Sequence, residues 1–156
     1  MNTSFLSDRP EYITEVAMII HERFDLDENI KGNYKEAVEF FGGSTEKGYP
    51  ITLIDLEGRK CVGTVSIYKN DLTERPNYQP WLAALYVLPG YRGEGIADRL
   101  VSDMLEHISE LGFEIIYART DSQKRYDYYM QKGWELLETI HTDGQKTFIF
   151  RKGKVQ

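Results

Sequence analysis

Cysteine occurs once in the 156 residues, at Cys61. A single thiol excludes an internal disulfide framework and the cysteine-rich zinc patterns. Histidine is nearly as scarce. His21, His107 and His141 are scattered, and their spacing suggests neither a metal site nor a Ser–His–Asp set. No apolar run approaches the roughly 20 residues that span a bilayer. The opening stretch MNTSFLSDRPEY lacks the basic-then-apolar layout of a secretory signal. These absences predict no metal, no membrane partner and a cytoplasmic protein. Basic residues are outnumbered, 19 Lys and Arg against 25 Asp and Glu, for a net charge of −6. The basic face that supplies most nonspecific nucleic-acid affinity is therefore not expected. Repeats, low-complexity runs and linker-like segments are also absent. What is present, 41% hydrophobic and 28% charged residues, predicts one globular domain over 1–156, large enough to bury a core.

Along the chain, DRPE predicts a helix start. Asp8 would be the cap, Pro10 suits the first turn, and Glu11 stands where a capping box places it. Ile13, Val16, Ala17, Ile20 and Phe24 follow with helical spacing. NYKEAVEFF repeats the logic with Asn33 and Glu36, and Gly42-Gly43 stops it. From Tyr49 the character changes. YPITLIDL and KCVGTVSIYK are rich in β-branched and aromatic residues, and the EGR between them predicts a hairpin. After the polar loop NDLTERPNYQP comes WLAALYVLP, apolar almost throughout, as a strand covered on both faces would be. A long helix follows, with Ile96, Ala97, Leu100, Val101, Met104, Leu105 and Ile108 on one face, ending at Gly112. FEIIYART reads as a central strand parallel to WLAALYVL, because a strand–helix–strand crossover makes a parallel pair. Asp121 and Ser122 are both suited to cap the helix QKRYDYYMQK, which Gly133 ends. WELLETIHTDGQKTFIFRK closes the chain as a hairpin turning at Asp143-Gly144, and offers an edge strand to a second copy. The order predicts an α/β domain with a mixed central sheet.

The stretch VLPGYRGEGIADRL crowds Pro89, Gly90, Gly93 and Gly95 into seven residues. A dinucleotide fingerprint fails, because its third small residue would fall at Asp98 and several elements precede the motif. A Walker-type loop fails for want of Gly-Lys-Ser/Thr. A diphosphate resting on the helix N-terminus fits. The first N–H groups of a helix lack intrahelical partners, the dipole adds positive charge, and glycines bring the backbone close. Arg92 adds a cation suited to phosphate oxygens. On the glycines alone, a plain strand-to-helix turn explains the stretch equally well.

The wider pattern separates the two readings. YVLPGYRGEGIADRL resembles the acyl-CoA-binding motif of the GNAT N-acetyltransferases, Arg/Gln-x-x-Gly-x-Gly/Ala, filled by Arg92, Gly95 and Ala97. YYMQKGWE resembles the family's Phe/Leu-Tyr-x-x-x-Gly-Phe/Trp ending, with Tyr129, Gly133 and Trp134 in register. The order of elements agrees from about Pro10 to Lys152, and TSFL is the poorest match, standing for the family's first strand.

The resemblance implies a GNAT-like acyl-CoA N-acyltransferase fold, its splayed parallel strands flanked by about four helices. It implies acetyl-CoA as co-substrate, with pantetheine against the backbone of Leu85, Tyr86 and Val87. The diphosphate would rest on the N–H groups of Arg92, Gly93, Glu94, Gly95, Ile96 and Ala97. The reaction implied is direct attack by a neutral amine on the thioester. Tyr129 occupies the general-acid position. Reference pKa values of about 10 and about 8.5 make proton transfer from phenol to thiolate uphill by only roughly 2 kcal/mol. Two positions depart from the family: Ser122 replaces a cofactor-contacting Asn, and Arg125 replaces a small packed residue. WLAALYVL carries no carboxylate to serve as base, so Asp71, Glu74 and Asp121 are the acids expected near the acceptor. A small-molecule amine is the acceptor expected first. Acetylation of a protein Lys or N-terminus and a non-catalytic acyl-CoA sensor are the alternatives.

Overall fold

In the computed structural model, residues 3–23, 33–142 and 144–153 are described. Thr3–Phe5 (β1) pairs with Ile51–Glu57 (β2), so the TSFL stretch does enter the sheet. Lys60–Tyr68 (β3) and Trp81–Val87 (β4) continue an antiparallel meander. Ile115–Thr120 (β5) runs parallel to β4, and Glu135–Thr142 (β6) and Gln145–Gly153 (β7) form the closing hairpin. The sheet has seven strands in the order β1-β2-β3-β4-β5-β7-β6. β7 therefore lies between β5 and β6, and β6 is the edge. Asp143 of the expected hairpin turn lies outside the described residues.

The first helix begins later than the DRPE signal predicts. Leu6–Asp8 and Pro10–Tyr12 are 3-10 turns, and the α-helix α1 runs from Ile13 to Arg23. Asp8 sits inside the first of these turns and caps nothing. The residue before a proline is held out of the helical region, and Arg9 accordingly has φ −133° and ψ 60°. Phe24 lies outside the described residues. Helix α2 (Tyr34–Gly42) follows expectation: Asn33 accepts from the Glu36 N–H at 3.0 Å, and Gly43 closes it.

Adjacent strand residues face opposite ways, which assigns each helix to a side. Ile54 and Cys61 pack with Val16, Ala17 and Ile20 of α1 and Ala37 and Phe41 of α2. Leu53 and Val62 face the other side. There they join Leu100, Met104 and Ile108 of α3 (Ile96–Glu110), and Tyr129 of α4 (Gln123–Gln131) completes that core. A partly buried ion pair ties α3 to the sheet, Arg99 Nη2 donating to the Asp55 carboxylate, which is 1% exposed.

Candidate active site

The turn between β4 and α3 is built on positive φ. Gly93 and Gly95 both stand at φ 82°, where a Cβ costs roughly 1–2 kcal/mol. A Cβ at either would meet no atom within 4 Å, so backbone conformation rather than internal crowding requires glycine. Gly95 is the N-cap of α3 and supplies no side-chain cap, which leaves the first N–H groups of the helix without a side-chain acceptor. Gly93, Gly95, Ile96 and Ala97 line a cavity of about 380 Å³. Arg92 lines it too. Its Nε donates to the Val87 carbonyl at 2.8 Å, and its guanidinium lies 5.1 Å from the Tyr86 ring centre. Glu94 is exposed and does not line the cavity.

The opposite wall comes from β4 where it leaves β5. The two strands share one paired position, Trp81 with Tyr117. The register of β4 against β3 slips between Thr64 and Ser66, and Ala84 in the bulge has φ 52°. Bulges bend a strand and re-aim its side chains. Beyond this one, Leu85, Tyr86 and Val87 line the cavity. Across the gap, Ser122 caps α4 by accepting from the Arg125 N–H at 3.2 Å, and it also lines the cavity. Arg125 reaches over, its Nη2 donating to the Leu85 carbonyl at 3.3 Å. Three cationic side chains, Arg92, Lys124 and Arg125, and one carboxylate, Asp98, face this space. Asp98 is held by Tyr128 Oη at 2.9 Å and Lys132 Nζ at 3.0 Å. Burial disfavours its charge, but those two bonds outweigh it and keep its pKa low.

Tyr129 is 3% exposed, packed against Trp134 and Phe150 with ring centres 5.1 and 5.2 Å away. Burial pushes its phenol pKa up, the neighbouring Arg125 guanidinium pulls it down, and the Asp71 carboxylate adds an upward push. The phenol is thereby kept protonated, the form a proton donor needs.

The sequence model of the Acetyltransferase (GNAT) family matches residues 15–134. The chain belongs to the GNAT acetyltransferase family. Membership makes it an N-acetyltransferase that draws its acetyl group from acetyl-CoA. No curated protein matches it in sequence. Among solved structures, an aminoglycoside 6'-N-acetyltransferase complexed with coenzyme A superposes with a TM-score of 0.75 at 14% identity, covering 100% of this chain and 98% of that one. NAA60 of Arabidopsis thaliana in complex with acetyl-CoA gives 0.72 at 14% identity, with 97% of each chain covered. A GNAT acetyltransferase from Streptococcus pneumoniae gives 0.72 at 15%, covering 97% of this chain and 99% of that one. These likenesses establish a common fold.

In this acetyltransferase the loop leading into β4 is fastened at two places. Asp71, one of the acids expected near the acceptor, is 7% exposed and paired with Arg119 Nε at 3.1 Å. Arg75 grips Glu138 of β6 through Nε at 3.1 Å and Nη2 at 2.6 Å, and Tyr78 donates to the same carboxylate. These bonds, Arg75 first, hold the Glu138 pKa down to about 2. The Tyr78 ring stacks on Tyr117 at 4.6 Å and 6°. Glu74 and Asp121 are exposed. Sequence reasoning missed the Glu138 clasp, since nothing in spacing links residues sixty apart. The facing of Arg125 was readable in part, because Arg125 and Tyr129 are one helical turn apart. Among the described residues no group of His, Cys, Asp and Glu is placed to hold a metal ion, and no helix is long and apolar enough to cross a membrane.

Proposed function

We propose that the protein acetylates a primary amine of a small molecule by direct attack on acetyl-CoA, with Tyr129 protonating the departing thiolate. The observation that carries this reading is the glycine-led, side-chain-free start of α3, opening on a cavity between diverging strands. In it the N–H groups from Arg92 to Ala97 take the diphosphate, the backbone of Leu85, Tyr86 and Val87 takes pantetheine, and Ser122 adds a hydroxyl. The excess of cations around the cavity supports an anionic ligand there. The turn and its N–H groups then position the donor, and the buried phenol of Tyr129 supplies one proton to sulfur. Exposed Glu74 and Asp121 draw in the ammonium form of the acceptor, while Asp71 sits nearer the phenol. The clasped loop supports a small acceptor over an extended chain that would need to displace it. The reading takes the whole chain as one domain, acting in the cytoplasm.

A thiol-release assay with acetyl-CoA tests this against small amines, peptides and no acceptor. Turnover is expected with small primary amines. Tyr129→Phe is expected to lower kcat by roughly 10²-fold or more while leaving CoA affinity, measured by calorimetry, unchanged. Undiminished turnover in that variant ends the proposed role of Tyr129. Turnover with peptides alone replaces the small acceptor by a protein one, and tight CoA binding with no turnover across the panel leaves an acceptor outside the panel or a sensor.

A further inference from the structure

The cleft contains a cation that no carboxylate balances. Arg125 forms no ion pair among the described residues. Its side chain is partly buried and directed across the gap to Leu85, in a cavity whose wall also includes Val87, Ile96 and Ala97. The carboxylate on the cavity wall, Asp98, is occupied by Tyr128 and Lys132. A charge withdrawn from water without a partner is costly, and a guanidinium cannot shed its proton to escape that cost. The arrangement makes sense if something anionic completes it. Arg125 stands one helical turn before Tyr129, near enough to act on its phenol. Arg125 lines the cavity whereas Tyr129, buried behind it, does not, so the guanidinium stands between the phenol and a ligand in the cleft. Of its five N–H donors, one is engaged with the Leu85 carbonyl and another is turned to the Tyr129 phenol oxygen.

We propose that Arg125 is a second catalytic residue, its guanidinium facing the sulfur of CoA and sharing the charge of the leaving thiolate while Tyr129 delivers the proton. This rests on the reading of Tyr129 above. The amine lone pair forms the N–C bond, the C–S bond breaks with its pair on sulfur, and the Tyr129 O–H proton passes to sulfur. The phenolate is reprotonated by the proton that the acetylated nitrogen sheds. Arg125 keeps all its protons.

The test is the thiol pKa of CoA bound to the protein, followed by the ultraviolet absorbance of the thiolate, with CoA affinity measured in parallel. In the native complex the thiol is expected to titrate below that of free CoA measured under the same conditions. Arg125→Met is expected to raise that pKa by about one unit, a tenfold loss of thiolate at fixed pH, with kcat falling more than the KM for acetyl-CoA rises. Arg125→Lys is expected to restore part of the shift. Arg125→Gln, closer in shape, serves if the Met variant folds poorly. An unchanged thiol pKa in a neutral variant that still binds CoA overturns the proposal. So does weaker CoA binding with an unchanged thiol, which would assign the guanidinium to the diphosphate. The reading of Tyr129 fails separately, by turnover surviving Tyr129→Phe, whereas the thiol titration reads Arg125 without turnover.

Discussion

The Asp71 carboxylate lies 3.1 Å from Nε of Arg119, and the acid is almost wholly buried. An acid of the loop leading into β4 is thus pinned to β5, close enough to Tyr129 to act on its pKa. Asp71→Asn exchanges a charge-assisted bond for a weaker one. Urea unfolding is expected to show a loss of about 1–3 kcal/mol. Glu74→Gln, at an exposed position, is expected to stay within about 0.5 kcal/mol of native and to raise the KM for the amine. Equal stability losses in the two variants would contradict this division of roles.

Gly95→Ala forces a Cβ into the left-handed region at the start of α3. The expected cost is about 1–2 kcal/mol of stability, with CoA binding weakened as the turn relaxes. Gly43→Ala, outside the turn and at φ −85°, provides the control. Calorimetric CoA titrations of both variants give the comparison, and equal affinities would show that the turn does not hold the ligand.

Acid is expected to open the loop clasp. The folded pKa of Glu138 lies near 2, below the unfolded value of about 4.3. Its depressed pKa contributes stability fully above the unfolded value, and that contribution is lost as pH falls from about 4.3 through about 2. Stability measured across this window should fall less steeply in Glu138→Gln than in the native protein. Parallel curves would place the acid sensitivity elsewhere.

Cys61 is 1% exposed, and burial pushes its thiol pKa up to about 12. Thiol reagents act on the thiolate, so labelling in the folded protein is expected to be negligible and to become complete in denaturant. Fast labelling of the native chain would show that the strand around Cys61 opens readily.

The glycine turn, the Ser122 cap and the order of elements were legible because each is local: φ, caps and periodicity act within a few residues. Asp8 failed as a cap through Pro10, also a local effect, whose influence on Arg9 outweighed the capping pattern. Ala84 gave no warning. A strand alanine at positive φ carries no signature, since the bulge arises from pairing with β3 rather than from preference. Asp71, Glu138 and Arg125 depend on partners brought in from other strands or helices. Their chemistry follows from topology and not from spacing.

The meander β1–β4 and the block β5-β7-β6 are joined within the sheet by a single rung, Trp81 with Tyr117. Mechanically this is the thinnest seam of the sheet, and on the proposed reading a ligand arm laid along β4 is a strut across it. Occupancy should therefore register as stiffness. With CoA bound, the backbone amides of β4 and β5 flanking the gap are expected to slow their hydrogen exchange together, although these strands scarcely touch each other. A ligand at 100 times its Kd adds about 2.7 kcal/mol to the folded state, and the amides beside this seam are where that gain should register first.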